Sequence, residues 1–322
     1  MARLLEQLGV VRPVVQAGMG GGISRHELAA AVSEAGGLGT IAVGGARAIA
    51  AEVAAARRLT DKPIAVNVLL PLVRRDWWPE AALADVVVTF WGRPRRHVAR
   101  TWLHQCGSVE EVLAARNAGA DGVIVQGVEA GGHVRGTVPA LELLERVRRA
   151  VGTEYPVLVA GGIAERDDVR TALQAGADAA VAGTRFLLSY ESHAHGSYRE
   201  RVLEADRTIL TTLFGMGWPA APHRVVPNAA TERWLRDGAT AAVGVRALHR
   251  LSGVGARYLP PAVQARMVAT QRADRPLLTP QPPTDDGRGA LVACGALYAG
   301  ETALRIAAVR PAAELVGELS PS

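Results

Sequence analysis

The chain has 322 residues, 49% of them hydrophobic, with a formal net charge of +5 carried almost wholly by arginine, since Lys62 is the only lysine. That length suits one large barrel or two ordinary domains with a sizeable core. No apolar run reaches the ~18 residues of a membrane span, and the N-terminus lacks the apolar stretch and cleavage site of a secretory signal. Cys106 and Cys294 stand far apart without metal-ligand spacing and fit the reduced cysteines of a cytoplasmic protein. The arginine cluster at 92–100 reads as a solvated face, without the interleaved aromatics of a single-strand nucleic-acid reader.

In chain order, short apolar runs at 14–18, 38–43, 64–70, 85–90, 102–106, 121–127, 157–162 and 179–186 read as strands. They are apolar almost throughout rather than alternating, as parallel strands covered on both faces are. Three stretches repeat one grammar, "ELAAAVSEAGGLGTIAVGG", "EVLAARNAGADGVIVQG" and "DVRTALQAGADAAVAGT": an acidic start, an alanine-rich helix, Ala-Gly, then a strand. The glycine after each helix suits a left-handed C-terminal cap. Together these predict an α/β fold, a (β/α)8 TIM barrel with a helical cap. Residues 91–101 leave little room for a helix, so the fourth is expected to be short or irregular. Beyond residue 190, "YRERVLEADRTILTTL" and "AVQARMVATQRA" have helical patterns, then a Pro-rich connection leads to "ALVACGALYAGETALRIAAVRPAAELVGEL", again read as helix. The expected division is barrel 1–193, helical cap 194–289, and a segment 290–322 returning to the barrel.

In such a barrel the chemistry belongs at the C-terminal strand ends. The first strand runs into "AGMGGGIS", which fails as a dinucleotide fingerprint because Ile23 stands where the third glycine is needed. Asn67 closes the third strand and has two readings, an amide pairing with a heterocycle or a local turn. "AGGIAERDD" and "AGTRF" follow the last two strands. Each alone reads as a tight packing turn or as an anion site at a helix start, and the two together favour a phosphate. In "VQGVEAGGHVRG", residues 125–136, His133 sits among glycines, either on a surface loop or as a base beside a ligand that needs close backbone approach.

Taken in order, "VVQAGMGGGISRHELAAAVSEAGGLGTIA", "VN", "VQGVEAGGH", "VLVAGGI" and "AGTRF" resemble the FMN-dependent nitronate monooxygenases, formerly 2-nitropropane dioxygenases; "ALYAGETALRI" and "RPAAELV" continue the likeness. The resemblance implies a flavin-binding barrel with a helical cap. It implies that Asn67 and Gln126 contact the isoalloxazine or ribityl part, that Gly131 lies close to the flavin, that Met19 lines the ring, and that Gly161, Gly162, Gly183 and Thr184 belong to the cofactor site around the phosphate. His133 matches the catalytic histidine. Two departures stand out: Val134 interrupts the G-G-H-R-G often found, and Val181 and Ala182 replace a Gln-Met pair.

The implied reaction begins with removal of the α-proton of a nitroalkane by neutral His133, whose ordinary pKa of ~6.5 suits a base near neutrality. The nitronate is then oxidised through FMN with O2 to a carbonyl compound and nitrite. A small-molecule partner is expected, with no nucleic acid, membrane or metal. His26, His97, His193 and His195 are expected to be structural or solvated, with the last two also placed to line the mouth. The same fold and a similar E-A-G-G-H segment occur in FMN-dependent enoyl-ACP reductases, and some relatives reduce quinones, so a NAD(P)H-dependent FMN reductase is the alternative; a flavin-binding sensor is a further one.

Overall fold

The computed structural model describes residues 3–255 and 261–321, so residues 256–260 of the expected cap lie outside the described residues. The chain forms two compact units, one of Met1–Ala130, Arg135–Ser192 and Ala308–Ser322, the other of Gly131–Val134 and His193–Ala307.

The first unit is a (β/α)8 barrel. Its strands are β1 (Val14–Gln16), β2 (Gly39–Ile41), β3 (Ile64–Leu69), β4 (Val86–Phe90), β5 (Thr101–Cys106) and β6 (Gly122–Gln126). After β7 (Gly132–His133), which belongs to the second unit, come β8 (Val157–Ala160) and β9 (Ala180–Ala182). The order is β1-β9-β8-β6-β5-β4-β3-β2, with every pair parallel. A parallel bridge between Val15 and Leu38 closes the ring, with Leu38 N–H donating to Val14 O and Gln16 N–H to Leu38 O, both at 3.0 Å. Side chains alternate as the pleat requires. Val15, Val86, Val88, Leu103, Ile124, Leu158 and Val181 fill the interior, joined by Leu5 of the N-terminal helix Arg3–Gln7. Val87, Val123, Val125, Val157 and Val159 pack with helix side chains in the larger cluster. Both faces are thus covered, which is why the strands carry no polar stripe.

The repeated Ala-Gly has the expected cap geometry. Gly36, Gly119 and Gly176 have φ of 93°, 86° and 98°. Each follows its helix in a Schellman pair, as where Gly119 N–H reaches Arg116 O and Ala120 N–H reaches Ala115 O, both at 3.0 Å. The aspartate of "AGAD" has a role that spacing does not announce. Asp121 accepts from Trp102 N–H at 2.8 Å and from Arg96 at 2.8 Å; Asp178 accepts from Val157 N–H at 2.8 Å and from Arg148 at 2.6 Å. Asp85 does the same for Ile64 N–H at 2.9 Å, with Arg57 as its ion partner. Each carboxylate satisfies an N–H at the first or second residue of the preceding strand and is neutralised by an arginine.

The fourth connection is irregular, one of the two outcomes expected: Gly92, at φ 128°, and Pro94 interrupt it between β4 and β5 and the chain crosses it as coil. Arg96 anchors that coil through Gly119 O and Asp121, His97 stacks on Trp78 of helix Trp77–Ala81 with ring centroids 4.1 Å apart, and Val98 is buried. Arg96 also lies over the Trp102 ring at 5.6 Å. Trp102 Nε1–H donates to Thr89 Oγ1 at 2.7 Å, and Thr89 in turn meets His104 Nδ1 at 2.7 Å. Burial, and after it the Arg135 charge, pushes the His104 pKa down to about 4.

Gly39 is fixed by close approach. A Cβ there would lie 1.9 Å from Ala29 O, a backbone atom of helix His26–Glu34. Backbone cannot swing away, so Gly39→Ala is expected to cost about 3 kcal/mol through overpacking. The denaturation midpoint of the variant checks this, and an unchanged midpoint would contradict the stated helix–strand contact.

The second unit is less helical than its sequence pattern suggests. Residues 198–213 read as one helix, but helix Gly196–Leu203 ends and β10 (Ile209–Thr211) begins, a change suited to its β-branched run. β10 pairs with β11 (His223–Val225), and β11 pairs with β7, both antiparallel. A hairpin of β12 (Leu235–Arg236) and β13 (Thr240–Ala241), and helices Ala229–Trp234, Val243–Gly255 and Pro261–Ala269, follow. Leu213, Phe214, Val225, Val245, Leu278 and Ala296 are among its core. The segment 290–319 is likewise not one helix: it holds 3-10 turns at Gly289–Ala293 and Glu301–Arg305 and one α-helix, Ala312–Leu319, interrupted by Gly295, Gly300 and Pro311.

Candidate active site

In the second half of β3 the barrel unit offers an unpaired buried acceptor, and Glu129 Oε2 is another. Asn67 Oδ1 is buried without a hydrogen-bond partner, while its Nδ2 donates to Gly18 O at 3.4 Å. A Cβ on Gly18 would sit 2.4 Å from Asn67 Cβ, so the turn after β1 lies directly against this amide. Burying an amide oxygen unpaired is costly unless a ligand donor meets it. Met19 is half-buried, packs against the core outside the sheet, and has its N–H held by Ser24 Oγ at 2.9 Å. At the end of β6, Gln126 is buried and its Oε1 accepts Arg135 N–H at 2.9 Å, which pins the returning end of the 127–134 loop.

The two glycine turns differ. After β8, Gly161 and Gly162 have φ of 115° and 75°, a left-handed pair that turns the chain sharply. Helix Arg166–Gln174 starts further on, and its capping box is closed: Asp168 accepts from Ala164 N–H at 2.8 Å and Glu165 N–H at 2.9 Å. Two N–H groups just ahead of that helix are thus taken by Asp168, and the glycine turn lies before them. Glu129 braces the turn, with Oε1 accepting Ala140 N–H at 2.9 Å and its Cδ 3.3 Å from where a Gly161 Cβ would be. After β9, Gly183 caps the four-residue helix Thr184–Leu187 with an ordinary φ of −101°. A Cβ there would touch only Ala17 Cβ, at 3.7 Å, so sterics within the protein do not demand this glycine.

His133 belongs to the second unit, on β7, in register opposite His223 of β11. Val134 continues the pairing by donating its N–H to Pro222 O at 2.8 Å and is itself buried, which is how the loop takes up the extra residue. Gly131 is small because the 299–300 backbone lies against it: a Cβ would come within 2.4 Å of Gly300 N. Gly132 has φ of 74°, which only glycine adopts without strain. The His133 ring stacks on Trp218, centroids 4.2 Å apart and planes 22° from parallel. His223 and Tyr298 approach at 5.4 and 5.5 Å. His223 has a settled tautomer, since Nε2 accepts Phe214 N–H at 3.2 Å and Nδ1–H therefore donates to Ala221 O at 3.0 Å. Burial pushes its pKa down to about 4. Burial, and after it the neighbouring His223, hold His133 well below its ordinary value. His133 is thus a neutral imidazole at working pH, able to accept a proton.

The other histidines named from the sequence have structural partners. His26 Nδ1 meets Glu52 at 2.7 Å and Nε2 meets Glu27 at 3.2 Å; this is the one grouping of metal-ligand type among the described residues, and it divides its ring nitrogens between the carboxylates. His193 pairs with Asp285 at 3.0 Å, and His195 Nδ1 caps helix Gly196–Leu203 by accepting Ser197 N–H at 3.2 Å. Trp218, His223 and Tyr298 are not visible from motifs. They lie far along the chain, and only the β7–β11 pairing and the fold of unit 2 gather them around His133.

A nitronate monooxygenase family model matches residues 2–87 and 94–322. The chain is 34% identical over 296 residues to a nitronate monooxygenase from Pseudomonas aeruginosa, an alignment covering 71% of this chain and 82% of that protein. Its fold matches a nitroalkane oxidase from Streptomyces ansochromogenes with a TM-score of 0.75 and 30% identity, covering 98% of this chain and 96% of the other. FabK from Thermotoga maritima also matches with a TM-score of 0.75, at 26% identity, covering 99% and 94%.

Proposed function

This chain belongs to the nitronate monooxygenase family, and on that premise we propose that it binds FMN noncovalently in its barrel unit and uses His133 to prepare a nitroalkane or hold a nitronate for oxidation by O2. It is a flavin-dependent oxidoreductase by family. The choice of FMN is supported by the unpaired Asn67 Oδ1, which suits a ring N–H donor, by the glycine turn at 161–162, and by the room at Gly183. Gln126, Gly131, Met19 and Thr184 complete the proposed cofactor set. Bound FMN supplies an electron acceptor for the nitronate and a route onward to O2, giving a carbonyl compound and nitrite.

The observation that carries the reading is the enclosed neutral imidazole of His133. It takes the α-proton from a neutral nitroalkane, leaving the electron pair on the nitronate and the charge on the ring. General-base help of this kind is worth ~10²–10⁴-fold. A nitronate supplied as such needs no proton removed. The fold likeness to FabK, at the same TM-score but lower identity, is the observation behind a second and weaker reading, an FMN reductase driven by NAD(P)H.

One preparation tests both. The purified protein is expected to be yellow and to release FMN on denaturation, and its flavin is expected to bleach anaerobically with a nitronate and without nicotinamide. Rapid bleaching by NADH or NADPH would establish the reductase instead, and colourless protein that takes up no FMN would remove the cofactor assignment.

A further inference from the structure

We propose that Trp218 is a positioning residue for His133 whose indole face stabilises the imidazolium formed when the α-proton is taken. The proposal rests on the base role of His133. The indole and imidazole stack at 4.2 Å and 22°, and Trp218 is 8% exposed, so the ring face is held against the imidazole rather than swinging in solvent. Its backbone is anchored by donation to Gly215 O at 3.1 Å. On the opposite strand, His223 has both ring nitrogens committed to Phe214 N–H and Ala221 O. It can neither share nor accept the new proton. Tyr298 directs its hydroxyl to Pro280 O at 2.8 Å. Among these rings only the indole presents a π face flat against His133, and a cation over an indole face is attracted by the ring quadrupole.

Proton transfer converts nitroalkane plus neutral imidazole into nitronate plus imidazolium, with the carbon's electron pair delocalised onto the nitro oxygens. The charge appears on the ring during the step, so the stack strengthens from ground state to transition state. That differential lowers the barrier. A nitronate substrate forms no new imidazolium and gains nothing from it.

The test compares kcat/KM for nitroethane and for ethylnitronate in FMN-loaded wild type, Trp218→Leu, Trp218→Phe and His133→Asn. Trp218→Leu is expected to lose about tenfold more on nitroethane than on the nitronate, with the acid limb of the nitroethane profile moved to lower pH because the imidazolium has lost its partner. Trp218→Phe, with a weaker aromatic face, should lose about threefold and restore most of the limb. A purely structural Trp218 would depress both substrates alike and leave the limb where it was, and that result overturns the proposal. If His133→Asn itself loses both substrates equally, the base reading fails and the Trp218 role falls with it. If His133→Asn is selective and neither Trp218 variant is, the Trp218 role alone is refuted.

Discussion

Replacing His133 by Asn is expected to lower kcat/KM for a neutral nitroalkane by ~10²–10⁴-fold while a preformed nitronate suffers far less. Asparagine keeps a polar group of similar reach and has no basic nitrogen at neutral pH, so the variant separates proton removal from anion holding. The expected pH dependence follows from the direction of the His133 shift. Its pKa lies well below 6.5 because burial and His223 disfavour the charged ring. The base is then competent throughout neutral pH, and nitroalkane turnover in the wild type should fall only as pH drops below 6.5 toward the depressed value. Steady-state rates on both substrates across pH check this. Equal losses on the two substrates, with flavin content unchanged, would leave His133 as an anion holder.

The second large effect is expected at Gly183. Gly183→Asp places a carboxylate where the phosphate is proposed to bind, and like charges in a partly desolvated turn repel strongly. The residue has an ordinary φ of −101° and a Cβ would meet only Ala17 Cβ at 3.7 Å, so the substitution itself brings neither backbone strain nor a clash. The barrel should remain folded, since its stability lies in the packed strands, while FMN affinity falls by about a hundredfold or more, as ~3 kcal/mol of lost binding would give. The FMN dissociation constant and the melting temperature separate the outcomes. A lowered melting temperature with intact affinity would show a packing glycine and sink the phosphate assignment at this turn. Gly162 cannot serve the same test, because its φ of 75° makes any side chain straining whatever binds there.

Chain-local features are legible in the amino-acid sequence by itself. Apolar runs without a polar stripe announce parallel strands covered on both faces, the Ala-Gly after each repeated helix announces left-handed caps, and Q-G-x-E-A-G-G-H announces the loop carrying His133. These signals act over a few residues, through backbone sterics and local hydrogen bonds, so sequence spacing determines them. The fourth connection, expected to be short or irregular, is irregular coil, because Gly92 and Pro94 break a helix there and Arg96 and His97 fasten the coil to distant partners. The helical readings of 198–213 and 290–319 fail because β11 supplies a strand partner for Ile209–Thr211, and glycines and a proline divide the rest. Asp168 turns back to accept the N–H groups of Ala164 and Glu165 just ahead of helix Arg166–Gln174, a matter of side-chain rotamer that spacing leaves open. Above all, a motif can name His133, but its protonation state cannot be read from its neighbours in sequence. That state depends on desolvation and then on His223, which only nonlocal packing brings to the ring together with Trp218 and Tyr298, because the energies that shift a pKa fall off with distance in space and take no account of distance along the chain.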